Sequence, residues 1–193
     1  MDGTWLTALR TGAVGGLAAD LLARSDAKTV ALFGAGVQAR TQLEAVRCVR
    51  EITEVRVVSR SGASADRLAG EVVGVRAVRV DDANEAIEGA DIIIAATSSS
   101  TPVFDGARVE PGTHVTGVGS YTLDMREVDT LAFHHSSNIC EINVDETLEI
   151  NEVANTANSL KKNLVSHLEG VDHGRSLIAH GDQSLIGNSD QCI

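Results

Sequence analysis

The sequence predicts a doubly wound α/β sheet, mostly parallel, with a long N-terminal helix and an irregular C-terminal tail. Three observations predict it. Short aliphatic runs alternate with helix-compatible segments between Thr29 and Val118, the pattern of β-α-β crossovers. The first run, in TVALFGAGVQA, leads into Gly34, Gly36 and Ala39, a G-x-G-x-x-A array. The composition is 43% hydrophobic but only 3% aromatic. Val, Ile, Leu and Ala must therefore build the core, as they do in parallel strands covered on both faces.

Taken in order, Thr4–Arg24 reads as one long helix, with Leu6, Leu9, Ala13, Leu17 and Leu21 at helical spacing. Gly12, Gly15 and Gly16 lower its intrinsic propensity, so close packing against a neighbour is expected to compensate. Ser25-Asp26 ends it. Thr29–Phe33 is the first strand and Gln38–Val49 the helix after the glycine turn. Val55–Ser59, Val75–Val80, Asp91–Thr97 and Thr113–Val118 are the next four strands. Helices are expected at Ser64–Val72 and Asp82–Glu88, and a connection at Pro102–Pro111. The run DIIIAAT, almost wholly apolar, is expected to be central. The right-handed crossover rule leaves few other topologies. After Asp129 the pattern degrades: Asp145–Leu168 is compatible with helix, and the stretch from Gly170 reads as a weakly ordered tail. The expected organisation is a hinge helix (1–28), a sheet domain (29–130), and a remnant helix with tail (131–193).

The glycine turn carries the chemistry. Gly34 permits the tight turn, Gly36 removes a side chain where a diphosphate would approach the backbone, and Ala39 lets the helix pack close to the strand. Unpaired N–H groups and the helix dipole then attract the anion. This is the dinucleotide-binding, Rossmann-like arrangement. Ligands in such sheets lie outside the carboxyl ends of the strands. The strand ends at Gly34–Gln38, Ser59–Ser61, Thr97–Ser100 and Val118–Tyr121 are therefore the candidate crevice. An Asp or Glu usually ends the second strand of an NAD site; here Ser59-Arg60-Ser61 stands there. A guanidinium flanked by hydroxyls holds a 2′-phosphate that a carboxylate would repel. NADP(H) is thus favoured over NAD(H), and the missing acid argues against an S-adenosylmethionine methyltransferase. The bland alternative is that Arg60 is a solvated loop charge.

The remaining features exclude more than they propose. A net charge of −11 argues against nucleic-acid and anionic-membrane partners. Cys48, Cys140 and Cys192 give neither a disulfide framework nor zinc-ligand spacing. No metal is expected. With no signal-peptide pattern and no spanning run, the expected location is cytoplasmic. His114 reads as a satisfied core histidine. His134-His135 is a poor metal pair, and His167, His173 and His180 read as solvent-facing. Ser98-Ser99-Ser100 lacks a nucleophile-elbow setting. Asp124 and Glu127 read as the first turn of a helix, and Cys140 as inert packing.

The segments LTALRTGAVGGLAADLLAR, GAGVQARTQLEAV, VVSR, GADIIIAATSSSTPVF and PGTHVTGVGS, in that order over Thr4–Asp129, resemble the ornithine cyclodeaminase/mu-crystallin family. The resemblance implies an NAD(P)-dependent oxidoreductase that moves hydride to or from the α-carbon of a small amino or imino acid, in the manner of alanine dehydrogenases and ketimine reductases. It implies that Arg10 and Thr11 contact cofactor phosphates, with Gly34, Gly36, Val37 and Gln38 at the glycine turn and Ser59 and Arg60 at the ribose. Thr97, Ser98, Val118, Gly119 and Ser120 fall on the nicotinamide side. The residue pattern alone would leave Arg10 a surface charge. The resemblance also implies a homodimer in full-length relatives. The family's substrate-binding N-terminal part has no counterpart here, so the chain is expected to be truncated, its long helix to expose apolar surface, and the isolated chain to turn over little or nothing. Tyr121 stands where cyclodeaminases place a catalytic Asp, with Asp124 the nearest carboxylate, so ornithine cyclisation is not expected and no catalytic residue is assigned. The alternative function is a non-catalytic NADPH-binding module.

Overall fold

The computed structural model describes residues 3–120, 122, 124–135, 138–143 and 175–180. Helix α1 (Gly3–Leu22) leads to strand β1 (Thr29–Phe33), helix α2 (Val37–Val49) and strand β2 (Glu54–Val58). Helix α3 (Gly62–Glu71), β3 (Arg76–Arg79), the short α4 (Ala83–Ile87) and β4 (Ile92–Ala95) follow. A 3₁₀ turn at Gly106–Arg108 precedes β5 (His114–Gly117), α5 (Thr130–His135), β6 (Asn138–Asn143) and β7 (Arg175–His180). The strands form one sheet in the order β3-β2-β1-β4-β5-β6-β7, and every pairing is parallel. The doubly wound fold expected from the sequence is present, with boundaries shifted by a few residues.

The sheet is wider than the sequence suggested. Two strands not expected from the sequence, β6 and β7, continue the sheet past β5; the rest of the stretch from Gly170 lies outside the described residues. Their sequences, NICEIN and RSLIAH, are short and carry polar residues, so they lack the aliphatic runs that identify the inner strands. The possible helix over Asp145–Leu168 lies outside the described residues.

Two apolar layers sandwich the inner strands. Val30, Leu32, Val55, Val57, Ile92 and Ile94 pack with Ala39, Leu43 and Val46 of α2 and Ala65 and Leu68 of α3. Ala31, Phe33, Ile93, Ala95 and Val115 pack on the other face with Ala86, Ile87, Phe104 and Val109. Strand β4 is buried along its whole length, which explains its lack of alternation.

The N-terminal helix packs by its small residues. Ala8, Thr11, Gly12, Gly15, Gly16, Ala18 and Ala19 are buried. The periodic leucines face outward, with Trp5 57%, Leu17 56% and Leu21 55% exposed. The glycines let α2 approach closely. A Cβ on Gly12 would sit 2.8 Å from the Thr41 carbonyl, one on Gly16 2.8 Å from the Ala45 Cβ, and one on Gly15 would overlap the Gln42 amide. That amide is buried and donates to the Thr11 carbonyl at 2.8 Å. Arg50, after α2, donates to the carbonyls of Asp20 (2.7 Å), Ala23 (2.9 Å) and Arg24 (3.0 Å) and to the Asp20 carboxylate. It thereby satisfies carbonyls that the end of α1 leaves without helical partners.

Candidate functional site

The sheet order places a switch point beside β1. The chain steps from β1 outward to β2 and β3, then crosses back to β4 on the opposite side of β1. The connections that follow β1 and β4 therefore leave the carboxyl edge in opposite directions, and a crevice opens between them. The turns after β2, β1, β4 and β5 stand in that order along this edge. They hold Ser59-Arg60, Gly34–Gln38, Thr97-Ser98 and Val118–Ser120 respectively.

The glycine turn joins the crevice walls. Gly34 has φ +102°, and an added Cβ would overlap the Ala96 carbonyl after β4, so a side chain is excluded on both counts. Its N–H donates to the Val58 carbonyl at 2.8 Å, tying the turn to the end of β2. Gly36 is the N-cap of α2, with φ −84° and ψ −170°, and no side chain caps it. Nothing lies within 4 Å of a Cβ added there. Gly34 is thus required by the fold, whereas Gly36 leaves open space above a helix N-terminus that is short of acceptors. Arg40, one turn into α2, donates to the carbonyls of Ala35 and Gly36 and pairs with Glu71 of α3 at 2.7 Å. Val37 is exposed and Gln38 half-buried at the head of the helix.

At the far wall, Glu127 joins the ends of β4 and β5. Its side chain is fully buried. One carboxylate oxygen accepts from the Thr97 N–H; the other accepts from the N–H groups of Gly119 and, at 3.3 Å, Val118. Burial raises its pKa above the ordinary glutamate value, and the amide donors oppose that rise without cancelling it. A buried carboxylate costs several kcal/mol to desolvate, and charge-assisted amide bonds return about 1.5–3 kcal/mol each. The segment around it is pinned as well: the Glu127 N–H donates to Ser120 Oγ at 3.2 Å, and the Arg126 N–H to the Ser99 carbonyl at 2.9 Å. The expectation that Asp124 and Glu127 open a helix is corrected. Helix α5 begins only at Thr130, Asp124 is exposed beside the Thr122 hydroxyl, and Glu127 is interior. Sequence reasoning missed Glu127 because YTLDMREVD has the composition of a solvated connection.

The other sequence candidates separate cleanly. Arg60 is exposed and has no ion-pair partner among the described residues. Ser59 is half-buried and Ser98 exposed; Thr97 Oγ1 accepts from the Ser99 N–H at 3.1 Å. Arg10 is exposed on α1, while Thr11 is buried against α2. His114 is buried, with its Nε2 3.0 Å from the Thr116 hydroxyl, as expected of a core histidine. Tyr121 lies outside the described residues. No cluster of His, Cys, Asp or Glu suited to a metal ion occurs among the described residues. No helix among them is long and apolar enough to cross a membrane.

This sheet, with an open glycine turn at its switch point, defines a Rossmann-like α/β domain. The sequence matches the model of the ornithine cyclodeaminase/mu-crystallin family over residues 1–179, and the chain belongs to that family. It is 38% identical over 152 residues to a Δ1-pyrroline-2-carboxylate reductase of Bacillus cereus, a match covering 77% of this chain and 46% of that protein. Among solved structures it resembles Δ1-pyrroline-2-carboxylate reductase of Thermococcus litoralis in complex with NADH and L-proline. There the TM-score is 0.73 at 34% identity, over 92% of this chain and 60% of that one. An archaeal alanine dehydrogenase dimer with bound NAD gives TM-score 0.73 at 29% identity, over 93% of this chain and 60% of that one. The chain thus spans less than two thirds of the length of these relatives.

Proposed function

We propose that this chain carries the nicotinamide-dinucleotide site of an oxidoreductase that moves hydride to or from the α-carbon of a small amino or imino acid. The observation that carries this reading is the open space at Gly36, set at an uncapped helix N-terminus on the switch-point edge. A Cβ would fill the space a diphosphate needs, so the residues fit the cofactor. The amides of Val37 and Gln38 would hold its diphosphate, with Arg10 and Thr11 assisting from α1. Ser59 and Arg60 would hold the adenosine ribose, and Thr97, Ser98, Val118, Gly119 and Ser120 would line the nicotinamide end. The bound dinucleotide supplies the hydride chemistry; the protein orients it and excludes water.

Arg60, which has no ion-pair partner among the described residues, supports NADP(H) over NAD(H), because its guanidinium suits a 2′-phosphate. Assembly as a homodimer is supported by the apolar outer face of α1, from Trp5 to Leu21. The test is titration with NADPH and with NADH, followed by nicotinamide fluorescence, then addition of pyruvate with ammonia or of a cyclic imino acid. Saturable binding with NADPH oxidation supports the enzyme. Binding without oxidation by any of these substrates supports a binding module, and absence of binding removes the reading.

A further inference from the structure

We propose that Glu127 is a positioning residue for the nicotinamide end of the crevice: its carboxylate spans the ends of β4 and β5 and sets the gap in which that end of the dinucleotide lies. The inference rests on the dinucleotide reading above. It adds a residue that never lines the crevice itself and acts through the main chain of those that do.

The geometry is that of a staple. One oxygen takes the Thr97 N–H after β4, and the other takes the Gly119 and Val118 N–H groups after β5. The two ends come so close that a Cβ on Gly119 would overlap the Thr97 carbonyl and lie 2.5 Å from the Glu127 carboxyl carbon. Glycine is therefore demanded at 119 by the staple. No basic side chain among the described residues pairs with the carboxylate; the Thr97 side chain and the backbone amides of Thr97, Val118 and Gly119 favour its charged form. A glutamine or an apolar side chain of similar size would fill the same space. Of the three, only the carboxyl group sets an acceptor oxygen against each strand end at once. The amides it occupies are also withdrawn from any ligand. This leaves the α2 N-terminus, at the other end of the crevice, as the place where main-chain donors meet phosphate.

The selective consequence concerns one half of the ligand. Loosening the β4 and β5 ends acts first on the nicotinamide end; the Ser59-Arg60 end belongs to β2, and the diphosphate turn, although it touches Ala96, stays tied to β2 by the Gly34 N–H to Val58 carbonyl bond. Glu127→Gln turns an amide NH₂ toward one of the donors and loosens that strand end, while the Val118 N–H keeps its 2.8 Å bond to the Ala95 carbonyl. Glu127→Asp is too short to reach both.

The experiment uses the full chain and compares NADPH with 2′-phospho-ADP-ribose, and NADH with ADP-ribose, by titration calorimetry. Thermal unfolding is recorded beside it. Both variants are expected to weaken the intact dinucleotides about tenfold or more, the loss of one charge-assisted hydrogen bond, while the ribose fragments bind within about twofold of wild type. Equal loss for dinucleotide and fragment, or no loss for either, overturns the proposal. Failure of wild type to bind any dinucleotide overturns the dinucleotide reading and this inference with it. Should both variants unfold, hydrogen exchange on the wild type decides. NADH, but not ADP-ribose, is expected to add protection at residues 97–99 and 117–120, and equal protection by the two ligands refutes the assignment.

Discussion

Replacing Gly36 with aspartate is expected to move stability and dinucleotide affinity in opposite directions. The backbone at Gly36 is extended, a conformation open to any residue, and a Cβ there meets nothing within 4 Å. Aspartate is a favoured N-cap where none of the side-chain caps is present, so α2 gains a few tenths of a kcal/mol. The same side chain stands where a diphosphate would lie and takes up the helix N–H groups. Losing two amide–phosphate bonds costs about 3 kcal/mol, which is roughly a hundredfold in Kd. Like-charge repulsion adds to that loss. Gly34→Ala is the contrasting variant. A positive φ costs an alanine about 1–2 kcal/mol, and the overlap with the Ala96 carbonyl adds about 1–3 kcal/mol, so this variant is expected to melt well below wild type. Circular-dichroism melts without ligand and fluorescence titrations with NADPH read the two quantities separately. Wild-type affinity in Gly36→Asp, or a stability loss there as large as in Gly34→Ala, would refute the reasoning.

Arg60→Asp is expected to shift preference from NADPH toward NADH by about 1–3 kcal/mol, read as the ratio of the two Kd values; an unchanged ratio removes Arg60 from the cofactor site. Arg50→Met frees several carbonyls at the end of α1 and is expected to cost about 2–3 kcal/mol in denaturant unfolding, whereas a surface arginine would cost almost nothing. The Glu54 carboxyl is held below its ordinary pKa by Arg56 first and then Arg76. Its stabilising contribution is present above the unfolded-state pKa and is lost as pH falls through the folded one. Glu54→Gln should therefore flatten the acid side of the melting profile, below the ordinary glutamate pKa, and leave the neutral side parallel to wild type.

The parts legible in the sequence were those with a local physical signature. The glycine turn was readable because Gly34 needs a positive φ and Gly36 an empty flank, and few other residues serve either need. Strand β4 announced itself as an unbroken aliphatic run because both of its faces are covered. Gly12, Gly15 and Gly16 signalled a close helix contact, and α2 supplies it. What stayed hidden depends on distant partners. Strand β6 takes its place by pairing along β5, and β7 by pairing along β6, which a polar hexapeptide does not reveal. Glu127 is buried only because the chain doubles back beneath two strand ends. The leucines of α1 kept helical time while facing away from the core, since periodicity identifies an apolar face but not what it faces.

The order of the strands also governs how the molecule is made. Val30 of β1 lies opposite Ile92 of β4, roughly sixty residues further along the chain. At ordinary rates of translation, β1 waits about 3–12 s after its own synthesis for that neighbour to be made. Throughout the interval one flank of the central strand presents bare amides and carbonyls to whatever is near. Newborn chains are thus most vulnerable to mispairing before the hydrophobic run at Ile92–Ala95 has left the ribosome, and a chaperone that shields Thr29–Phe33 during those seconds would be expected to raise the yield of native protein.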